Sequence, residues 1–209
     1  MKIVMKEMAK YSYIYGVLIM WVCCTGSYAQ WKPAGNRIVT EWAAQVDVSN
    51  VLPEYPRPLM ERTEWVNLNG LWQYAILPSG KAMPKTYDGE ILVPFAVESA
   101  LSGVGKELGE NNELWYRRAF SVPSRWKGQR VLLNFGAVDW KTTVWVNGTK
   151  LGEHCGGFTP FAFDITQALQ KGDNEVVVRV WDPTDKGKQA RGKQVSNPGH
   201  IWYTPVSGI

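Results

Sequence analysis

The residues that could do chemistry are few and poorly spaced for it. Cys155 follows His154, a pairing that serves a thiolate nucleophile or one half of a soft-metal site. His200 is the one other histidine, and no C-x-x-C or H-x-x-x-H spacing accompanies either residue. Metal and thiol chemistry are therefore set aside, and no cofactor is expected. Hydrolysis by paired carboxylates needs two Asp or Glu roughly 5–10 Å apart across a cleft. The Asp and Glu residues are scattered, most of them at turn-like positions, and spacing alone brings no two together. A G-x-S-x-G elbow, a glycine-rich phosphate loop before a helix and an H-E-x-x-H pair are all missing. No catalytic residue is assigned. What stands out is aromatic content: 11 Trp and 9 Tyr in 209 residues. Such an excess suits flat sugar-binding surfaces or the filling of a β core, and core filling is the simpler reading.

The elements that must position any site are short strands. Val131–Phe135 and Thr142–Val146 are apolar runs, and the second turns at Asn147-Gly148 before a return strand from Leu151. Asn-Gly supplies the positive φ angles of a two-residue type I′ hairpin turn. Asn147-Gly148-Thr149 also spells a glycosylation sequon, but the flanking alternation already demands a turn there. Further strands are expected at Leu71–Ile76, Glu90–Val93, Leu114–Val122 and Glu175–Trp181, with Pro94 and Pro123 as stops. Phe158–Phe163 alternates aromatics and leads to Asp164, a plausible N-cap for one short helical turn that Gly172 would end. Arg117 and Arg118 must face opposite sides of their strand, so one of them should be buried against a carboxylate or carbonyl. Trp115, Trp145 and Trp181 are expected in the core. No long amphipathic helix follows, and the even spacing of short strands predicts an all-β, antiparallel β-sandwich.

Residues 1–29 read as a signal peptide. Lys2, Lys6 and Lys10 form the positive region, Tyr13–Cys24 the apolar one, and Ser27-Tyr28-Ala29 the small-residue site for cleavage before Gln30. The apolar run is short for a membrane span. Export to the periplasm or the exterior is expected, with no membrane attachment after cleavage. Removing this segment lowers the formal charge from +4 to +2, too weak a balance to argue for nucleic acid. It also leaves Cys155 without a bridging partner, so core packing must hold the domain. Residues 30–55, polar and punctuated by proline, read as a lead over the surface. Residues 56–209 read as the domain.

A set of short motifs in order across that domain resembles glycoside hydrolase family 2. They include Pro56-Arg57-Pro58-Leu59, Asn67-Leu68-Asn69-Gly70-Leu71-Trp72 and Val93-Pro94-Phe95-Ala96-Val97-Glu98-Ser99. Leu114-Trp115-Tyr116-Arg117-Arg118, Phe135-Gly136-Ala137-Val138-Asp139-Trp140 and Val144-Trp145-Val146-Asn147-Gly148 continue the series. Gly156-Gly157-Phe158-Thr159-Pro160-Phe161, Asp164-Ile165-Thr166 and Val180-Trp181-Asp182-Pro183-Thr184 complete it. The resemblance implies the family's N-terminal sugar-binding domain, a galactose-binding-domain-like jelly roll. In the family it precedes an immunoglobulin-like domain and a TIM barrel that carries the acid and nucleophile glutamates. Those glutamates have no counterparts here. The chain stops at Ile209, where the family pattern runs on into the sandwich's closing strand, so a truncated sandwich is expected.

The resemblance also nominates site residues. In the family the loop before the closing strand reaches the barrel's active site and offers an Asp to a sugar hydroxyl. The matching region here is Asp182–Tyr203, where Pro198-Gly199-His200-Ile201-Trp202 carries no carboxylate. His200 can donate a hydrogen bond in its place, beside Trp202, and Arg191 lies on the same basic loop. Asp139 belongs to a connection at the sandwich rim, where a structural role is favoured over sugar contact. His200, Trp202, Arg191 and Asp139 are the candidates for binding a carbohydrate, a β-glycoside or a glycan.

Three readings follow. The chain is the accessory domain of an exported β-glycosidase, inactive without its barrel; or a stand-alone carbohydrate-binding module; or a structural sandwich without a ligand. A reading frame that runs past Ile209 into a strand and a barrel would favour the first, and a natural stop codon there the others.

Overall fold

Alternating side chains along Gly70–Pro78 set the first strand, β1: Trp72 and Tyr74 point into the core while their neighbours point away. The computed structural model describes residues 31–209 apart from Asn36, so the expected signal segment lies outside the described residues. The other strands are β2 (Gly89–Val93), β3 (Asn112–Ser121), β4 (Leu132–Phe135), β5 (Lys141–Val146), β6 (Thr149–Cys155), β7 (Phe161–Asp164) and β8 (Asp173–Trp181). Six of them pair antiparallel in the order β2-β1-β3-β8-β5-β6, and β4 pairs antiparallel with β7 in a second sheet. Helical structure among the described residues is limited to four short 3-10 turns. The all-β, antiparallel sandwich expected from the strand spacing is the fold observed, and it agrees with the jelly roll that the family resemblance implies. No helix among the described residues is long and apolar enough to cross a membrane.

The core lies between the two sheets. Val176, Val178 and Val180 of β8 and Val144 and Val146 of β5 are almost wholly removed from water, facing Leu133 and Phe135 of β4. Each such side chain contributes roughly 1.5–3 kcal/mol of burial. Both central residues of the β5–β6 turn have positive φ, 49° at Asn147 and 77° at Gly148, as a type I′ turn requires. Asn147 is also tied to the next layer of structure. Its amide nitrogen donates to Ala168 C=O (2.8 Å) and Asn174 Oδ1 (2.7 Å), and its Oδ1 accepts from Glu175 N–H (2.9 Å). The amide that a sequon would glycosylate is thus spent inside the fold. After β7, Asp164 Oδ1 accepts from Thr166 N–H (3.0 Å), and in place of the expected helical turn the chain makes a hydrogen-bonded turn, with Ala168 N–H (2.9 Å) and Leu169 N–H (3.1 Å) both reaching Ile165 C=O.

Two expectations about faces are corrected. Trp145 and Trp181 are only half-buried, and Trp115, although buried, lies on the sheet's second face and not between the sheets. The cause is the strand period: Leu114 and Tyr116 take the inward positions of β3, and Val144 and Val146 those of β5, which sends Trp115 and Trp145 outward. There the two indoles stack at 5.6 Å, and the Arg179 guanidinium lies over both rings at 5.6 and 5.8 Å. Arg117 and Arg118 do split between the faces. Arg118 is the one with carbonyl partners, Leu68 and Asn69 at 3.0 Å each, while Arg117 pairs with Glu175 near the surface.

Residues 31–69 form no strand and are pinned at a few points. Ala34 N–H donates to Ala100 C=O (2.8 Å), Arg37 Nε to Gly105 C=O (3.1 Å), and Asn67 Nδ2 to Val51 C=O (3.0 Å). A depression of about 520 Å³ between Trp31 and Val46 is apolar except for Arg37, whose charge is used against Glu107.

Candidate functional site

The segment after β8 supplies the site. It leaves the sheet at Asp182, crosses the rim as a long loop and returns at Pro205–Ile209 beside Asp139. Asp182 begins it with an Asx turn: its Oδ1 accepts Thr184 N–H (2.7 Å). Within the loop a short parallel bridge joins Gln194 to Tyr203, held by Tyr203 N–H to Lys193 C=O (2.8 Å) and Val195 N–H to Tyr203 C=O (3.0 Å). A tight turn precedes Tyr203, closed by Trp202 N–H to Gly199 C=O (3.1 Å).

That scaffold brings Arg191 and Trp202 together. The Arg191 guanidinium lies over the indole at 5.5 Å, and its own polar partners are distant: Asp185 C=O at 3.4 Å and the Asp185 carboxylate at 4.0 Å. Beside this pair Lys193 lies over the Tyr203 ring at 5.7 Å. His200 sits at the tip of the turn, exposed, with φ of 54°, and forms no hydrogen bond among the described residues. It is not brought into the Arg191–Trp202 pair.

Asp139 joins the same system from the opposite side. Its Oδ2 accepts from Gln194 Nε2 (2.9 Å), and Gln194 Oε1 accepts from Val206 N–H (2.7 Å). Its backbone exchanges two 3.0 Å hydrogen bonds with Gly208. A shallow cleft of about 190 Å³ opens here, lined by Asp139, Gln194, Phe158, Val206 and Ile209 among others. Burial pushes the Asp139 carboxyl up to about 6, against the Gln194 hydrogen bond and with help from the Asp182 charge.

Below the cleft are two more carboxylates that spacing alone did not bring together. Glu98 Oε2 accepts Ser207 N–H (2.9 Å), and Asp182 Oδ2 accepts Ser207 Oγ (2.8 Å). Burial pushes both upward, against these same hydrogen bonds. Glu98 is 6% exposed and Asp182 2%. At that depth they cannot meet a glycosidic bond, and they serve to anchor the returning chain. Tyr116, pushed above its ordinary range by burial, accepts Ile209 N–H at 3.3 Å. The arrangement can therefore bind and position; it offers no exposed acid–nucleophile pair.

Gln194, Glu98 and Ser207 were not singled out from the sequence. For Gln194 no local signal exists, because its partners lie 55 and 12 positions away. The Asp-x-Thr spacing at Asp182 and a lone Glu98 in an apolar run were the available hints. His154 and Cys155, the other chemistry-bearing pair, diverge: His154 stacks on Phe161 at 4.0 Å and Cys155 is exposed at the end of β6.

Fold and rim loop together define a galactose-binding-like β-sandwich domain. Residues 104–206 match the family described as "Glycosyl hydrolase 2 galactose-binding domain-like". Among curated relatives, a beta-glucuronidase of Paenibacillus borealis is 29% identical over 133 residues, covering 60% of this chain and 22% of the relative. A beta-galactosidase of Thermoanaerobacter pseudethanolicus is 46% identical over 66 residues, 32% of this chain and 9% of the relative. The solved Lactobacillus rhamnosus beta-glucuronidase superposes with a TM-score of 0.51 at 32% identity, over 61% of this chain and 22% of that one. The chain thus spans about a fifth or less of the length of these relatives. It is the N-terminal galactose-binding-like domain of glycosidase homologues.

Proposed function

We propose that this chain is the accessory sugar-facing domain of an exported, retaining β-glycosidase, and that the bond is broken by residues of other domains. An immunoglobulin-like domain and a TIM barrel of the same parent are the partners this reading implies. The observation that carries it is the rim: one loop, fixed by Gln194 to Asp139, holds an exposed indole and a weakly paired guanidinium, and through Gln194 and Val206 also lines an open cleft. Aromatic planes with adjacent hydrogen-bond donors suit a pyranose ring, one end apolar and the other wet. The relatives named above are glucuronidases and galactosidases, which supports a β-glycoside as the parent's substrate. The three rim carboxylates are engaged in anchoring, which favours residues of other domains as the hydrolytic machinery.

The experiment is direct. The purified 209-residue chain, at its verified mass, is incubated with chromogenic β-galactosides, β-glucuronides and β-mannosides. No release above a buffer blank is expected, and turnover would overturn the reading. For export, N-terminal sequencing of the protein recovered outside the cytoplasm should begin at Gln30.

A further inference from the structure

We infer that the joint between the rim and the returning segment Pro205–Ile209 is a proton-operated latch: Glu98 and Asp139, neither paired with a cation, grip that segment more tightly once each has taken a proton. The inference goes beyond the sugar-facing reading of the rim and concerns when the cleft is held in shape, with or without a ligand.

Three acids meet one short stretch of chain. Glu98 Oε2 accepts Ser207 N–H (2.9 Å), Asp182 Oδ2 accepts from Ser207 Oγ (2.8 Å), and Asp139 Oδ2 is tied through Gln194 to Val206 N–H. Pro205, Ser207 and Gly208 are buried where they dock. Among the described residues no Lys, Arg or His nitrogen lies within 4.0 Å of any of these three carboxyls. The groups that act on them are each other and Tyr116. The Asp182 charge raises the proton affinity of both Glu98 and Asp139, and the Glu98 charge bears on the buried Tyr116 hydroxyl. Charges at this depth are ordinarily paired, and like charges left uncompensated favour a bound proton.

Atom by atom, the three acids are not equivalent. Glu98 uses one oxygen for Ser207, and its Oε1 is buried with no partner. Asp139 uses Oδ2 for Gln194, while Oδ1 makes no hydrogen bond among the described residues and lies against Gly157, whose missing Cβ leaves room for it. Each can therefore take a proton on the free oxygen and keep its existing bond, since a neutral carboxyl retains an acceptor. Asp182 has no free oxygen: Oδ1 holds Thr184 N–H and Oδ2 holds Ser207 Oγ. Burial favours a proton on it too, but that proton would break one of those bonds, so Asp182 is the standing charge that protons on Glu98 and Asp139 relieve. When the segment undocks, water reaches the acids and their ordinary values return. The docked form thus binds protons more tightly, and by linkage acid strengthens docking. For Asp139, raised from 3.8 to about 6, the docking equilibrium gains about tenfold between pH 8 and pH 5. Glu98, raised chiefly by burial, adds in the same direction.

The test is amide hydrogen exchange, read by mass spectrometry on the full 209-residue chain without sugar, so its outcome is separate from that of the sugar-facing reading. Exchange over residues 205–209 is followed at pH 5, 6.5 and 8 and divided at each pH by the intrinsic rate of an unstructured reference peptide. Protection there is expected to rise at least tenfold from pH 8 to pH 5. Asp139→Asn and Glu98→Gln, which fix a neutral group in place, should each start better protected at pH 8 and rise less. Glu153→Gln, at an exposed carboxylate paired with Lys150, should leave the full response. Thermal melts confirm which variants fold, and the parent's own response decides where one does not. Protection that does not change with pH, or a full rise in both Asp139→Asn and Glu98→Gln, would overturn the latch. Millimolar calcium giving the same protection at pH 8 would overturn it as well, by showing that the acids hold a cation and not protons.

Discussion

Gln194 and Asp139, 55 positions apart, are joined by a 2.9 Å hydrogen bond from Gln194 Nε2 to Asp139 Oδ2. The same glutamine accepts Val206 N–H through its other side-chain atom, so a single amide ties the rim loop, the rim connection and the returning chain. Around this joint Glu98, Asp139 and Asp182 carry carboxyls whose burial raises their proton affinity. The consequences are measurable.

Stability should rise on mild acidification. A carboxyl whose folded value lies above its unfolded one costs stability when ionised, fully so above the folded value, and that cost fades as pH falls toward the unfolded value. For Asp139 the window runs from about 6 down to 3.8, and Glu98 and Asp182 shift in the same direction. Carboxyls shifted the other way, such as Asp164 at about 2, lose their contribution only in more acidic solution. The melting temperature is therefore expected to be higher at pH 5.5 than at pH 8, and the rise to be smaller in Asp139→Asn. An equal rise in both, or a fall in the parent, would show that Asp139 is not buried as described.

Gly208 should tolerate no side chain. Its φ is 106°, and a Cβ there would overlap the Tyr116 hydroxyl and approach Leu114 Cδ2 at 3.4 Å. Gly208→Ala is expected to cost about 1–3 kcal/mol in a denaturant melt. At Gly157 the backbone conformation is ordinary but a Cβ would overlap the Asp139 carboxylate, so Gly157→Ala should also destabilise. Substitutions without effect would mean that Pro205–Ile209 does not dock against the rim.

Trp72 and Trp145 separate the two faces of the large sheet. Trp72 is 4% exposed between the sheets, edge-on to Tyr116, and its indole donates to Leu68 C=O (2.8 Å). Trp72→Ala should cost roughly 3–5 kcal/mol. Trp145 is half-buried on the outer face, and its replacement by Ala should cost less, about 1–3 kcal/mol. Chemical denaturation of the two variants tests the order, and a reversal would exchange the faces.

Most strands were legible because their signals are local. Pro94 and Pro123 stop β2 and β3, Asn147-Gly148 turns β5 into β6, and valines mark β8. Which face is which was not legible for Trp115 and Trp145, since β3 and β5 carry apolar side chains on both sides and the period alone has no sign. At the rim, Arg191 and Trp202 were nominated through a family resemblance, and the structure brings them together. His200, nominated on the same ground, stands exposed at the tip of the turn with a positive φ. The joint itself, Gln194 with Asp139, depends on contacts between distant segments and left no trace in residue spacing.

Whether the rim loop faces a sugar is read from the indole N–H resonance of Trp202. Trp202→Phe assigns the peak by removing it, and the 209-residue chain is then titrated with methyl β-D-galactoside and methyl β-D-glucuronide. A saturable shift of the Trp202 peak with at least one of the two is expected, while the buried Trp72 and Trp115 peaks stay in place. A Trp202 resonance that stays still through both titrations at millimolar sugar would contradict it.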